Sequence, residues 1–532
     1  MVGCNNTTGE IQEPPNVDLV WEDNTTTISY PQILETIPAY ITIRGEQYST
    51  TLTTLRICFG FLDEEISDEE VAQLRYMTNL TKLEFSGLRG WGSLISDITS
   101  LAGLTNLMEL SLSGNRIDNL TPLAGLANLT NLNLSNSQIS DLTPLVGLTN
   151  LTNLNLSNSQ INDLTPLAGL TNLTNLNLSE NPINDIKPLA GLTDLMVLNL
   201  SGHIVEDIAP LANLTNLTHL YLDSHVRRDC INDIIPLTGL TNLIVLDLSG
   251  NQVRDLTPLT NLTYLTELHL RRATSHSSIE PPPIGLGYLQ NLTHLDLSYN
   301  HIDDLTLLAG LTNLTYLNLI NNRLSDLMPL AELTNLTHLY LGWGFDYLGS
   351  HAPFSQNQIN DITPLASLTN LVELYLSHLQ ISDIAPLVGL IYLERLYLSS
   401  AQISDLAPLA TLMNLAYLHL CNNEINDITP LSGLTDLMYL YLYSNQINDL
   451  IPLINLTNLT QLGLRNNQIN DVTPLIGLTN LVYLSLHDNP ISPLMDMILL
   501  PGLTEFYYFT WWLLENEFSD WPSIGHIDMC SY

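Results

Sequence analysis

Aspartate recurs at one place in a repeated phrase, as Asp141, Asp163, Asp185, Asp207, Asp255, Asp304, Asp326, Asp383, Asp405, Asp427, Asp449 and Asp471. A stacked column of carboxylates could hold Ca²⁺, which takes six or more oxygen ligands. Capping of the short helical segment that follows each aspartate explains the column more simply. The histidines lack zinc-ligand spacing, and no HExxH, CxxC or Gly-rich phosphate loop occurs. The sequence therefore points to no catalytic constellation, no metal and no cofactor.

A second set of residues suits recognition. Tyr316, His338, Tyr340, Tyr375, Arg395, Tyr397, Tyr417, His419, Tyr439, Tyr441, Tyr443 and Tyr483 recur at alternating positions of the same phrase. His219, Tyr221, His269 and His294 lead into this run. Tyrosine, arginine and histidine on a rigid surface are the residues from which binding hot spots are made. Aromatics also suit strands for their own sake. Yet the earlier repeats place Asn131, Asn133, Asn153, Asn155, Asn175 and Asn177 at these positions, so the strand itself does not demand an aromatic.

The elements that position these side chains follow from the phrase "LTNLTNLNLSNSQINDLTPLAGL" at 148–170. With its opening leucine as position 0, the phrase starts at Met77 and recurs to Leu478, mostly in steps of 22 residues. "NLNLS" alternates at period two and reads as a short strand. Its leucines at positions 6 and 8 face inward and positions 5, 7 and 9 face outward. "DLTPLAGL" leaves room only for a turn or a short 3-10 segment, with Pro tolerated in its first turn. Neither half buries its leucines alone, so successive repeats must stack into one elongated core, whatever the length of the chain.

This pattern resembles the leucine-rich repeat family, specifically the 22-residue class of the bacterial internalins, over residues 49–499. The resemblance implies an α/β repeat solenoid, a horseshoe or arc with parallel strands on a concave face and short 3-10 segments on a convex face. It also implies a buried asparagine ladder at position 11, fitted by Asn115, Asn181, Asn251, Asn300, Asn322, Asn423, Asn445, Asn467 and Asn489. Ser137, Ser159, His203, Leu379 and Ala401 depart from it. Serine can half-replace the amide; leucine and alanine cannot, which points to local loosening there.

Four regions follow. Residues 1–40 form a tether or tail, and residues 41–76 an N-terminal cap. The cap contains a degenerate repeat near Ser49 and a helix with a Ser67–Glu70 capping box. Residues 77–499 hold about eighteen repeats, with insertions in the first, seventh, ninth and twelfth. Residues 500–532 form an aromatic C-terminal cap, or else an interaction tail. The insertions leave from one rim, where Arg227, Arg228, Arg271 and Arg272 make a positive spot in a chain with 15 basic residues. Trp343 opens an aromatic loop beside it. Ordinary loop variation is the plainer account of both.

A net charge of −39 argues against nucleic acid and anionic lipid, and suits a particle kept monomeric by self-repulsion. No apolar run is long enough to span a membrane. "VGC" at the start resembles the end of a lipobox, which would make Cys4 a lipidation site; an incidental cysteine at a cytosolic start reads equally well. The leading expectation is a non-enzymatic protein- or glycan-binding protein, secreted or displayed on a cell surface. The alternatives are a cytoplasmic regulatory scaffold, similar to the phosphatase-binding leucine-rich repeat subunit, and a structural spacer.

Overall fold

The computed structural model describes residues 37–58, 66–86, 95–203, 205–224, 231–271, 284–343, 357–491 and 505–507. Two compact units divide the chain, Met1–Val197 and Leu198–Tyr532.

The first unit opens with an antiparallel hairpin, β1 (Tyr40–Ile43) and β2 (Glu46–Ser49). Both turn residues, Arg44 and Gly45, have positive φ, which is the two-residue turn that matches strand twist. The alternation in "YITI" was a signal for this hairpin, and the expected boundary after residue 40 cuts its first strand. Ile41 and Ile43 are buried against the short helix α1 (Asp68–Ala72) and the 3-10 turn that follows it. Glu70 closes the capping box with Ser67 and also accepts the Arg44 N–H at 2.7 Å. These hydrogen bonds hold its carboxyl below the usual range. Then β3 (Thr54–Cys58), β4 (Lys82–Ser86), β5 (Glu109–Ser111), β6 (Asn131–Asn133), β7 (Asn153–Asn155) and β8 (Asn175–Asn177) pair in parallel and in chain order. The division between the units falls inside β9 (Val197–Asn199).

The second unit continues the same architecture. Its strands are β10 (His219–Tyr221), β11 (Val245–Asp247), β12 (Glu267–His269), β13 (His294–Asp296), β14 (Tyr316–Asn318), β15 (His338–Tyr340), β16 (Glu373–Tyr375), β17 (Arg395–Tyr397), β18 (Tyr417–His419), β19 (Tyr439–Tyr441), β20 (Gln461–Gly463), β21 (Tyr483–Ser485) and β22 (Glu505–Tyr507). They too are parallel and sequential, and short 3-10 segments return the chain between them as far as β21.

One repeat explains the rest. Leu148, Leu151, Leu154, Leu156, Ile161, Leu164 and Leu167 are each at most 2% exposed. Truncating one such leucine to alanine costs about 2–5 kcal/mol. Position 10 adopts a left-handed turn, with φ of 57° at Asn136 and 54° at Asn158; glycine takes the place at Gly114 and Gly250. The Asp141 carboxylate accepts the N–H of Thr143, the first residue of the 3-10 turn, at 2.8 Å. The column therefore stands one residue ahead of a normal cap and does the same work.

The asparagine ladder is built as the resemblance implies. Asn467 is 7% exposed, donates to the carbonyls of Leu442 and Leu464, and accepts the Ile447 N–H. Asn115, Asn181, Asn251, Asn322, Asn423, Asn445 and Asn489 repeat this pattern, and Asn300 its donations. Asn357 joins them; the insertion before it had hidden its register. The serines do not half-replace the amide. The Ser137 and Ser159 hydroxyls are buried and reach no partner atom, because a side chain one bond shorter cannot span to the next repeat. Leu379 and Ala401 are buried at 2% and 0% exposure, and the Asn423 side-chain carbonyl accepts the Ala401 N–H in addition to that of Ile403.

Candidate partner-binding surface

From β5 on each strand has three residues, so positions 5 and 7 are the ones the strand itself holds on the open side of the sheet. By position 9 the chain is already turning. In β16 to β19 that position holds Ser377, Ser399, Cys421 and Tyr443, all buried. In these four repeats the expectation that position 9 faces outward is therefore corrected, whereas at Arg465 the side chain stays 38% exposed. Tyr443, at 4% exposure, is no docking residue: its ring lies across Gly463 and its hydroxyl meets that of Tyr483 at 3.0 Å.

The remaining tyrosines form a continuous band. Parallel register stacks position on position, with Tyr316 beside His338, Tyr375 beside Tyr397, and Tyr417 beside Tyr439. Ring centroids lie 5.3 Å apart for Tyr316–Tyr340 and Tyr375–Tyr397, 4.9 Å for Tyr397–Tyr417, 5.7 Å for Tyr417–Tyr439 and 5.6 Å for Tyr417–Tyr441. His419 stacks flat on Tyr417, contacts Tyr441 at 5.3 Å and bonds the Ser399 hydroxyl. The rings are half-buried by one another and keep one edge or face open.

Glu373 stands in the middle of this band and had escaped notice in the sequence, where one acid among 54 has no mark. Its side chain is 12% exposed and receives the Arg395 guanidinium at 3.0 Å. Tyr340 stands on the neighbouring strand, in register with Tyr375. Burial, then the Glu373 charge, pushes Tyr340 far above the usual phenol range. Tyr397 is pushed up to about 12 by burial first and Glu373 second. Tyr316 also reaches about 12, through burial and then Asp296 and Glu373.

Around the band, Trp343 packs edge-on to His378 at 5.0 Å, and its carbonyl accepts the Tyr375 hydroxyl at 3.0 Å. The Arg271 guanidinium lies 4.4 Å over the Tyr299 ring. Arg227, Arg228, Arg272 and Cys4 lie outside the described residues, as do most of the insertions and residues 508–532. Among the described residues no three His, Cys, Asp or Glu side chains gather where they could hold a metal ion, and no helix is long and apolar enough to cross a membrane.

The first unit is different in kind. Its strand face carries amide-to-amide bonds such as Asn153 Nδ2 to Asn131 Oδ1 at 2.9 Å. Along one rim a groove of about 860 Å³ is lined by Asn106, Asn128, Asn150 and Asn172 with Thr81, Thr130 and Thr152. These asparagines belong to the "NLT" triplets or their variants, and each donates to a carbonyl of the preceding repeat at 2.8–2.9 Å.

Stacked strand, turn and 3-10 segment around an asparagine ladder define a leucine-rich repeat protein. The family profile described as "Leucine Rich repeats (2 copies)" matches residues 127–169, 171–213, 290–332, 369–411, 391–433 and 457–497. The internalin InlF from Listeria monocytogenes is 30% identical over 72% of this chain and 87% of its own, with a TM-score of 0.40. InlJ from the same organism is 23% identical over 70% and 75%, with a TM-score of 0.51. The ectodomain of the Arabidopsis thaliana receptor kinase GASSHO1/SCHENGEN3, solved in complex with CASPARIAN STRIP INTEGRITY FACTOR 2, is 21% identical over 85% of this chain and 60% of its own, with a TM-score of 0.52. A comparison with curated protein sequences finds no match. The chain belongs to the leucine-rich repeat family, in its internalin-like class.

Proposed function

We propose that this chain is a non-enzymatic protein-binding module presented outside the cytoplasm, and that its partner docks on the tyrosine band of β14 to β19. One observation carries the reading. Where position 7 is Asn or Asp, its Oδ1 accepts the position 9 N–H of its own strand, as in Asn133–Ser135, Asn155–Ser157, Asp247–Ser249 and Asp296–Ser298. Tyr375, Tyr397, His419 and Tyr441 carry no such acceptor. In two places a serine of the preceding strand supplies one instead: Ser377 for Ser399 and Ser399 for Cys421. A hydrogen bond of this kind contributes about 0.5–1.5 kcal/mol. From β15 to β19 the aromatic band therefore lacks a stabilising device that the Asn- and Asp-bearing repeats keep, which supports a surface kept for more than folding.

Six strands at a spacing of about 4.8 Å extend the band over roughly 24 Å, the scale of a protein interface rather than a single sugar. Membership of the internalin-like class supports presentation outside the cytoplasm. The test is capture from cell-envelope extracts by the native chain, by a variant with Tyr417, Tyr439 and Tyr441 changed to serine, and by an Asp405→Asn control away from the band. A partner held by the native chain and the control but lost by the serine variant supports the reading. Equal retention by all three removes the band as the site.

A further inference from the structure

We infer that the tyrosine band takes a cationic segment of its partner, an extended stretch bearing arginine or lysine, with one cation seated at Glu373. This rests on the band being the docking face. Within the band of β14 to β19 the charged residues at positions 5 and 7 are Glu373 and Arg395, and Asp247, Glu267 and Asp296 extend an acidic flank beside it on β11 to β13, in a chain that carries −39 as a whole. The face is thus complementary in charge to a basic partner. Glu373 lies at its centre, beside His338 on one strand and Arg395 on the other.

Chemistry around Glu373 suits a guanidinium or ammonium group. Tyr316, Tyr340 and Tyr397 all lie within reach of its charge, which adds to burial in raising their phenols. A cation placed over such rings gains quadrupole attraction, and a carboxylate at the base adds a charge-assisted hydrogen bond. Of roughly four acceptor directions on the carboxylate, Arg395 occupies one. The chain shows the same mode of recognition internally. Arg395 reaches Glu373 from a side chain that is itself 57% exposed, and Arg271 lies flat over Tyr299. Arg395 is the resident cation that a partner's arginine would displace or join.

The probe is a capped decapeptide alternating arginine with serine, beside a citrulline version of the same shape without charge. Binding to the native chain is measured near 0.15 M salt, where long-range attraction is screened beyond about 8 Å. The arginine peptide is expected to bind about tenfold or more tightly than the citrulline peptide. Glu373→Gln is expected to lower arginine-peptide affinity about tenfold, and Glu332→Gln, an exposed acid off the strand face, by less than about twofold. Arg395→Gln is expected to tighten binding by removing the resident competitor, and circular dichroism checks that each variant is folded. Equal losses in the Glu373 and Glu332 variants would mean that the net charge alone attracts the peptide, and would overturn the proposal. Equal binding of the citrulline peptide, or no binding of the arginine peptide, would overturn it as well. If those results came with a captured partner that still needed Tyr417, Tyr439 and Tyr441, only the cationic assignment would fall. If the captured partner ignored those tyrosines, the docking face itself would be wrong.

Discussion

Tyr443 lies across Gly463, and a single methyl group on that glycine would overlap the phenol ring. This contact ends the open tyrosine band: the ring folds down instead of standing out, and ties to Tyr483 through the paired hydroxyls. Gly463→Ala should cost about 1–3 kcal/mol, as overpacking a buried contact usually does. Urea unfolding of the two proteins measures it, and an unchanged midpoint would mean that the ring moves aside freely.

The ladder predicts two changes of opposite sign. Asn467→Ala leaves two carbonyls and one N–H of its neighbours without their partner and should destabilise by about 3 kcal/mol or more, at about 1–3 kcal/mol for each buried group stranded. Ser159→Asn should stabilise by about 1 kcal/mol, because the longer side chain reaches the carbonyls that the serine cannot. Stability in a repeat array is local, so hydrogen exchange of the flanking strands is the better reading.

Acid should loosen the 3-10 side of the repeats first. The hydroxyls and N–H groups of Thr143, Thr165, Thr257, Thr429 and Thr473 hold Asp141, Asp163, Asp255, Asp427 and Asp471 below the usual carboxylate range. A depressed folded pKa means a contribution present above the unfolded value, near 4, and lost as pH falls through the folded one. Melting temperature followed downward from pH 5 should therefore decline, and the decline should shrink when several of these aspartates are changed to asparagine.

Asp247 runs the other way. Burial raises its carboxyl above the usual range, with Asp223 nearby adding to the shift. Its ionised form therefore weighs against folding at neutral pH, and the penalty fades as pH falls through the raised folded value. Asp247→Asn keeps an oxygen to accept the Ser249 N–H and should raise the melting temperature at pH 7 but not at pH 3. A variant that melts lower at pH 7 would show that the charge does more good than its burial does harm.

The tyrosines give a spectroscopic check. Tyr316 and Tyr397, at about 12, and Tyr340 beyond them should remain neutral while exposed phenols ionise near 10. Ultraviolet titration should show two classes, and Glu373→Gln should move part of the late class to lower pH.

Periodicity alone made the fold legible. Leucines at fixed spacing allow one inward face, so strand, turn and 3-10 segment and the Ser67–Glu70 box could be read from the chain, while the asparagine ladder was what the resemblance to the leucine-rich repeat family implied. Strand alternation likewise placed Tyr316, Tyr340, Tyr375, Tyr397, Tyr417, Tyr439 and Tyr441 on one face. What the pattern could not reveal is where the alternation stops. Beyond a three-residue strand the ninth position turns in along β16 to β19, and packing against Gly463 decides that Tyr443 is buried. Nor could it single out Glu373, because a carboxylate is marked by its surroundings and not by its letter. Those surroundings come from strands far apart in sequence, brought into register by stacking. Local spacing sets which way a side chain starts out; contacts between repeats set whether it ends in solvent, in a ring stack or on a neighbouring charge.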